Sequence, residues 1–289
     1  TNHAKPFGPE MQVKQMLDGL PTGQRIREMK IRIIDWNISY NSKKERIVEF
    51  IKENLTENFI INLQEVQEHV FSYIKEQFPG YSIAYSLNYR KPGFYEEKNR
   101  RLGVLTLSDL SLNSEATLLT NTVFPERTLL TTFKIKDEII KNLNFHSLTG
   151  CDYKRAKSSN FASIASFLHD NKLNIMTFDA NEPKNDSLND EEVVCFDNKD
   201  KGKNASYIIG SNKIHDMQDC YKSYCKINHF QYEKGFTHII RNDTYKRYDY
   251  IFADKNWELI NFQVLYRESV IASSDHAMII ADLDIKQRN

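Results

Sequence analysis

Short apolar runs recur along almost the whole chain, and they constrain its fold more than any other feature of the sequence. KIRIIDW reads as a strand, and NFIINLQEV reads as a strand whose two faces are both covered. An amphipathic helical segment, KKERIVEFIKENL, lies between them. Strands and helices alternate early in the chain, and strands dominate its middle. The pattern predicts an α/β sandwich with mixed sheets rather than a doubly wound parallel sheet.

The first residues differ from the rest, and a sharp strand pattern begins only at Met29. We therefore expect residues 1–28 to be a leader, tag or extension, and residues 29–289 to form one large α/β domain. No apolar run approaches the roughly 18 residues that span a bilayer, so no membrane span is expected.

The charges balance, with 39 Lys and Arg against 39 Asp and Glu. This balance gives no global attraction to nucleic acid, but it is compatible with a local basic rim. GxGxxG and GxxxxGK[ST] motifs are both absent, which weakens the case for nucleotide-loop enzymes. The four cysteines form no CxxC pair and there is no secretory-type apolar stretch, so we expect free thiols and a cytoplasmic location. A disulfide between Cys220 and Cys225 is the alternative.

Polar clusters follow three predicted strands in the first half of the chain. Asn37 ends the first strand, Glu65 follows the apolar run FIINL, and His146 ends IIKNLNFH. Carboxylate and amide oxygens suit Mg²⁺, and His can donate to a phosphoryl oxygen. The alternatives are a turn residue for Asn37, a helix-start residue for Glu65 and a structural role for His146.

Three further clusters lie in the second half. Asp179 and Asn181 follow the apolar run NIMTF, Asp249 lies inside an aromatic-rich strand, and Asp275 and His276 precede the last strand. A buried Asp needs a partner, which a His or a cation such as Arg247 would supply. Turns and loops are the alternatives for the other two clusters. Because strand ends meet at one edge of a sheet, all six clusters are able to converge in space.

The order of these motifs, W-N, Q-E, N-x-H, D-x-N, R-x-D-Y-I and S-D-H, closely resembles the endonuclease/exonuclease/phosphatase superfamily, the deoxyribonuclease-I-like group. The resemblance covers residues 30–285. It implies a four-layered α/β sandwich, in which two mixed β-sheets are flanked by helices and the site lies at one end. The superfamily includes abasic-site endonucleases, inositol-polyphosphate 5-phosphatases and neutral sphingomyelinases.

The resemblance also implies roles for individual residues. Mg²⁺ or Mn²⁺ would be bound chiefly by Glu65, with Asn37 and Asp275 near it. Asp179, aided by Asn181, would position or deprotonate the attacking water. The remaining roles concern the phosphate: His276, oriented by Asp249, would contact it, His146 would add a second donor, and Arg127 is a weaker candidate for a contact.

The sequence departs from the family pattern at two positions. Phe178 stands where the family has Gly before D-x-N, and Ser147 stands where it has Leu after N-x-H. Phe178 would either narrow the metal cleft or point into the core.

The leading hypothesis for the substrate is DNA or RNA. Residues 86–101 interleave cations with Tyr and Phe, which suits a polyanionic strand, although a solvated hairpin would look the same. The polar runs 184–204 and 221–238 are further candidates for cleft loops. A phosphatase or phosphodiesterase acting on a phosphoinositide, sphingomyelin-like or other small phosphoester is the first alternative, and a catalytically silent binding module is the second.

Overall fold

The structure is a computed structural model that describes residues 29–92, 101–196 and 204–285, apart from the side chains of residues 151–154. The predicted extension 1–28 lies outside these ranges. So do residues 93–100 and 197–203 of two predicted cleft loops, and the side chain of Cys151.

Two sheets of six strands each form the centre of the molecule. The first contains β1 (Lys30–Asn37), β2 (Phe59–Val66), β3 (Ser82–Tyr85), β4 (Gly103–Ser108), β13 (Glu258–Leu265) and β14 (Met278–Asp284), in the spatial order β13-β14-β1-β2-β4-β3. The second contains β5 (Ser111–Leu112), β6 (Thr128–Ile135), β7 (Glu138–His146), β8 (Ile175–Asp179), β9 (Gln218–Asp219) and β12 (Asp249–Ala253), in the order β5-β6-β7-β8-β12-β9. A separate hairpin joins β10 (His238–Ile240) to β11 (Thr244–Lys246).

Six α-helices accompany these strands in the described ranges: α1 (Lys44–Glu53), α2 (Glu68–Gln77), α3 (Gly150–Asp170), α4 (Ser206–Ile209), α5 (Cys220–Asn228) and α6 (Tyr266–Ile271). Helix α1 connects the parallel pair β1 and β2, and α3 connects the parallel pair β7 and β8. The other neighbouring strands described here run antiparallel. Parallel neighbours need such crossovers, which explains the early alternation of strand and helix patterns.

Helices cover the outer face of each sheet. Ile47, Phe50 and Ile51 of α1 pack with Trp36 of β1, and the Trp36 and Phe50 rings meet edge-on at 5.4 Å. On the other side, Phe161 of α3 packs on the second sheet. Each such side chain stabilises the fold by roughly 1.5–3 kcal/mol when fully buried. The layers run helix, sheet, sheet, helix, so the predicted four-layered sandwich with mixed sheets is confirmed.

The space between the two sheets changes from apolar to polar along the strands. In β7, the inward side chains run from Ile140 through Asn142 and Asn144 to His146, and all four are buried. Hydrogen bonds cross the gap there: Gln64 Nε2 donates to Asn144 Oδ1 at 2.9 Å. Asn142 is bonded in the same way to Asn62, whose Nδ2 donates to Asn142 Oδ1 at 2.8 Å. Most of the polar layer is therefore satisfied internally, as buried polar groups require, although Gln64 Oε1 and Asp35 Oδ2 have no hydrogen-bond partner within the described ranges.

The polar ends of the strands lie at one edge of the sandwich. The parallel strands β1, β2, β7 and β8 end there, and their antiparallel neighbours β4, β6, β12 and β14 begin there. This shared edge brings together residues that are far apart in the sequence. None of the helices in the described ranges combines the length and apolar character needed to cross a bilayer.

Candidate active site

Glu65 and Asn37 lie side by side on the first sheet, at the ends of β2 and β1. Glu65 has a φ of 58° within an irregularity of the β2–β4 pairing, a strained conformation that turns its side chain out of the strand alternation. Its Oε2 accepts a hydrogen bond from the backbone N–H of Tyr40 at 2.9 Å. Asn37 donates from Nδ2 to Asp179 Oδ2 at 2.9 Å, which links the two sheets.

Asp179, the last residue of β8, is at the centre of the site and is 1% exposed. Its Oδ1 accepts the backbone N–H of Asn181 at 2.8 Å. Its Oδ2 lies 3.5 Å from His146 Nε2 and 4.0 Å from His276 Nε2. A carboxylate in this position has donors on several sides, and it faces both imidazole rings.

Asp249 and His276 form a buried pair, as the resemblance implied. His276 Nδ1 donates to Asp249 Oδ2 at 2.9 Å, which leaves Nε2 directed toward Asp179. Burial alone would lower the pKa of His276, but the negative charges of Asp249 and Asp179 outweigh it and raise the pKa to about 10. His276 is therefore a cation at neutral pH.

His146, in contrast, is uncharged at neutral pH. Burial lowers its pKa to about 3, the positive charge of Arg127 adds to this effect, and Glu65 opposes it. Within the described ranges, His146 Nδ1 has no hydrogen-bond partner, and its Nε2 is 3.9 Å from Glu65 Oε1. Arg127 belongs to a 3₁₀ turn, Pro125–Arg127, that precedes β6 at the same edge, and it is 7% exposed.

Asp275 lies at the rim and is exposed, next to Ser274, whose hydroxyl donates to the backbone oxygen of Asn37 at 2.6 Å. Glu65, Asn37 and Asp275 would offer oxygen ligands, the set that hard divalent cations prefer. Asn37 Oδ1 accepts the N–H of Ser39 at 3.0 Å and keeps a second lone pair for an ion. The donor set therefore fits Mg²⁺ or Mn²⁺.

Two other groups of side chains offer ligand atoms within 4.8 Å of one another. The first is His238, Asp275 and His276, and the second is Asp179, Asp249 and His276.

Asn181 reaches the site from a turn rather than from the strand. Its φ is 49°, and its Nδ2 lies 3.5 Å from His146 Nε2 and 3.3 Å from the backbone oxygen of Ser147. Lys157 of α3 fixes this turn, because its buried Nζ donates to the Asn181 carbonyl at 2.7 Å and pairs with Glu182 at 2.7 Å. Sequence reasoning missed Lys157, since a lone lysine in an amphipathic helix carries no signal of burial.

His238 was also missed. Its ring stacks on that of His276, with centroids 4.1 Å apart and an angle of 21° between the planes. The backbones of the two residues form an antiparallel bridge, and His238 Nδ1 lies 2.9 Å from the backbone oxygen of Asp275. The sequence around His238 offers Lys and Tyr as the obvious candidates, so nothing there singles it out.

Two ambiguous residues have structural roles. Phe178 is fully buried and stacks on Phe145 at 4.3 Å, so it belongs to the core beneath α3 and does not narrow the cleft. Arg247 is not the partner of Asp249. It binds Asp219 through two nitrogens, at 3.1 and 2.8 Å, and Asp186 at 2.6 Å.

Neither a protein-family model nor a curated protein matches the chain. Solved structures do. TDP2 from D. rerio in complex with single strand DNA product has a TM-score of 0.63 at 12% identity, covering 89% of this chain and 99% of that one. An endonuclease/exonuclease/phosphatase from Bacteroides vulgatus gives 0.58 at 16%, covering 89% and 99%. ANGEL2, a 2′,3′-cyclic phosphatase in complex with adenosine-2′,3′-vanadate, gives 0.58 at 16%, covering 91% and 98%.

At these identities the likeness establishes the fold. The resemblance read from the motifs is confirmed at that level, because the matched structures include proteins named as endonuclease/exonuclease/phosphatases, and each match covers 89% of this chain.

Proposed function

We propose that this chain, which has the endonuclease/exonuclease/phosphatase fold, is a divalent-metal-dependent phosphodiesterase that acts on DNA or RNA. The observation that carries the proposal is the convergence of Asp179, the Asp249–His276 pair, His146 and Glu65 at one edge of the sandwich, from five separate strands or strand ends. A cationic imidazole, a neutral imidazole and a central carboxylate make a set suited to attack on an anionic phosphate.

The metal site would be formed by Glu65, Asn37 and Asp275, in agreement with the oxygen-rich donor set. Mg²⁺ or Mn²⁺ bound there would supply positive charge to a phosphoryl oxygen.

The chain's own residues would divide the remaining work. Asp179 orients a water molecule and takes its proton, since its carboxylate lies between the two histidine rings. His276 donates from Nε2 to a non-bridging oxygen, held by Asp249 in the tautomer and orientation this requires. His146 and Asn181 add neutral donors on the opposite side, and Arg127 adds charge behind His146.

Nucleic acid is the preferred substrate for two reasons. The TDP2 structure is a complex with single strand DNA product, and ANGEL2 is bound to a nucleoside derivative. Both are properties of those proteins, and they support the proposal through the shared fold. A small phosphoester is the competing substrate. The cytoplasmic location also stays a prediction, supported by the buried free thiols of Cys195, Cys220 and Cys225.

Hydrolysis assays test the proposal directly. Plasmid, single-stranded DNA, single-stranded RNA and bis(p-nitrophenyl) phosphate are incubated with Mg²⁺, Mn²⁺ or EDTA. We expect metal-dependent cleavage of at least one polynucleotide, and Asp179→Asn should lower kcat by about 10²- to 10⁴-fold, because a positioned general base is lost. The matched control is Asp216→Asn, at an exposed surface ion pair with Lys255.

Three results would contradict the proposal. Turnover of the small diester alone would identify a small-molecule phosphodiesterase. Inactivity on every substrate would favour a silent binding module. Full activity of Asp179→Asn would show that the base has been assigned to the wrong residue.

A further inference from the structure

Lys157 of α3 carries a buried charge next to the candidate active site, and the residue is only 2% exposed. Lysine is rarely buried to this extent unless its charge is paired. Its Nζ has two partners at 2.7 Å, the carboxylate of Glu182 and the backbone carbonyl of Asn181. Both partners belong to the segment that follows β8, so the lysine joins α3 to the turn that carries Asn181.

Glu182 is held by contacts of its own. Its Oε2 accepts the backbone N–H of Phe196 at 2.7 Å, and its carbonyl accepts the hydroxyl of Tyr250 at 3.3 Å. The Lys157 ammonium also lies 5.5 Å from the centroid of the Phe196 ring. The position of the Lys157–Glu182 pair is therefore fixed from several directions.

The turn at Asn181 has a conformation that depends on such support. Its φ of 49° lies in the left-handed region, which asparagine adopts more readily than most residues but which persists only where surrounding contacts hold it. The N–H of Asn181 donates to Asp179 Oδ1 at 2.8 Å, and its Nδ2 lies 3.3 Å from the backbone oxygen of Ser147. The bond from Lys157 to the Asn181 carbonyl thus helps to set the direction of the side-chain amide.

Net stability does not account for the Lys157–Glu182 pair. Two charges lose their hydration when they are buried, and their mutual attraction only roughly offsets that loss. Apolar side chains of similar volume would pack α3 against this segment about as well. An apolar side chain would not, however, supply a donor to the Asn181 carbonyl.

We propose that Lys157 is a positioning residue for phosphodiester hydrolysis, which holds the Asn181 amide where it binds a phosphoryl oxygen in the transition state. The inference rests on the proposed function and deepens it by adding a residue to the same site. Glu182 neutralises the lysine and so allows its burial. Lys157 acts through the peptide group of Asn181, and a displacement of a reacting group's partner by about 1 Å costs up to about 10²-fold in rate.

A double-mutant cycle measured on kcat tests this role. The pair variant is Lys157→Met/Glu182→Gln, which removes both charges at nearly constant volume and leaves no unpaired carboxylate in the interior. It is made in wild type and in Asn181→Ala, and Glu182→Gln is also measured alone. Lys157→Gln/Glu182→Gln, whose two amides are able to bond each other, takes its place in the cycle if the pair variant is unfolded.

The matched control is Ile164→Val, a truncation at a fully buried position of the same helix. For every protein, kcat and KM are measured with metal on bis(p-nitrophenyl) phosphate and on the polynucleotide that wild type cleaves. Thermal unfolding gives the stability of each variant.

We expect the pair variant to lower kcat about tenfold with little change in KM, because a transition-state donor is displaced. Asn181→Ala should lower kcat about 10²-fold. In the Asn181→Ala background, the pair variant should lower kcat no further, since the amide that Lys157 positions is already absent. Glu182→Gln should lose less activity than the pair variant, because Lys157 keeps its bond to the carbonyl. Ile164→Val should lower Tm and keep the kcat of wild type.

Equal factors of loss in wild type and in Asn181→Ala would overturn the inference, and so would a pair variant with the kcat of wild type. A loss of kcat in Ile164→Val as large as that in the pair variant would also overturn it, because the effect would then follow stability alone. The proposed function would survive each of these results if wild type hydrolyses phosphodiesters with metal. A wild type that hydrolyses none would refute the proposed function, and the positioning role with it.

Discussion

His276 and His146 are both buried, yet their pKa values are shifted in opposite directions. Asp249 and Asp179 raise the pKa of His276 to about 10, whereas burial, helped by Arg127, lowers that of His146 to about 3. At neutral pH, the site therefore presents one charged and one neutral imidazole to the same cleft. The charged ring offsets the negative charge that builds up in the transition state, and the neutral ring donates without repelling it.

The charge of His276 gives a pH prediction. The imidazolium is present below its raised pKa and is lost as pH rises through about 10, so kcat/KM should hold from neutral pH until it falls near pH 10. Asp249→Asn removes the largest favourable charge, and the alkaline fall should then move down by several pH units. Profiles of kcat/KM against pH for both proteins measure this, and superimposable alkaline limbs would contradict it.

The small hairpin of β10 and β11 contributes to the candidate site, because it carries His238. A two-stranded hairpin is marginally stable by itself. Here it docks on the second sheet and on the start of β14. The Thr237 hydroxyl accepts the N–H of Asp249 at 3.2 Å, and the Thr237 carbonyl accepts the N–H of Ala277 at 2.7 Å. Docking in this way sets His238 against His276.

Variants at His238 test whether the stacked ring positions His276. His238→Ala should lower kcat by about 2- to 12-fold, the equivalent of the roughly 0.5–1.5 kcal/mol of an aromatic pair, with little change in KM. His238→Phe, which keeps a ring, should restore most of the activity, whereas His238→Asn should not. His169→Ala, whose side chain is 76% exposed on α3, is the control. Equal kcat values for the Ala and Phe variants would argue against a stacking role.

The contrast between Asp179 and His238 shows what the sequence could predict. Asp179 follows a continuous apolar run, so its position at a strand end, and hence at the shared edge, follows from local pattern. β1 was likewise expected from Met29 and is observed at Lys30–Asn37. His238 and Lys157 act through contacts between distant segments, and no periodicity reports such contacts.

For the molecule as a whole, the polar layer between the sheets joins the core to the site. Asn62 on β2 and Asn142 on β7 are both fully buried and bond each other across the gap, and Thr106 Oγ1 also donates to Asn62 Oδ1, at 2.7 Å. A buried amide that loses its hydrogen-bond partner costs its full desolvation free energy. Replacement of both amides by apolar side chains removes that cost for the pair.

A double-mutant cycle at this pair tests that account. Asn62→Leu should destabilise the protein by about 1–3 kcal/mol, because Asn142 Oδ1 loses its donor and the Thr106 hydroxyl loses its acceptor. Asn62→Leu/Asn142→Leu should cost less than the sum of the two single changes. Urea unfolding of the four proteins gives the coupling, and strictly additive losses would rule out a direct interaction.

The alternation of side chains in β1 ties the packing of the molecule to its chemistry. Ile31 and Ile33 join the core between the sheets, Asn37 meets Asp179 farther along the same face, and Trp36 packs on the helical side. Slipping the strand by one residue would push an indole into the cleft and turn the amide toward the helices. The correct register of β1 is therefore required for both packing and chemistry, since a chain that buries these apolar side chains in the wrong register cannot assemble the candidate site.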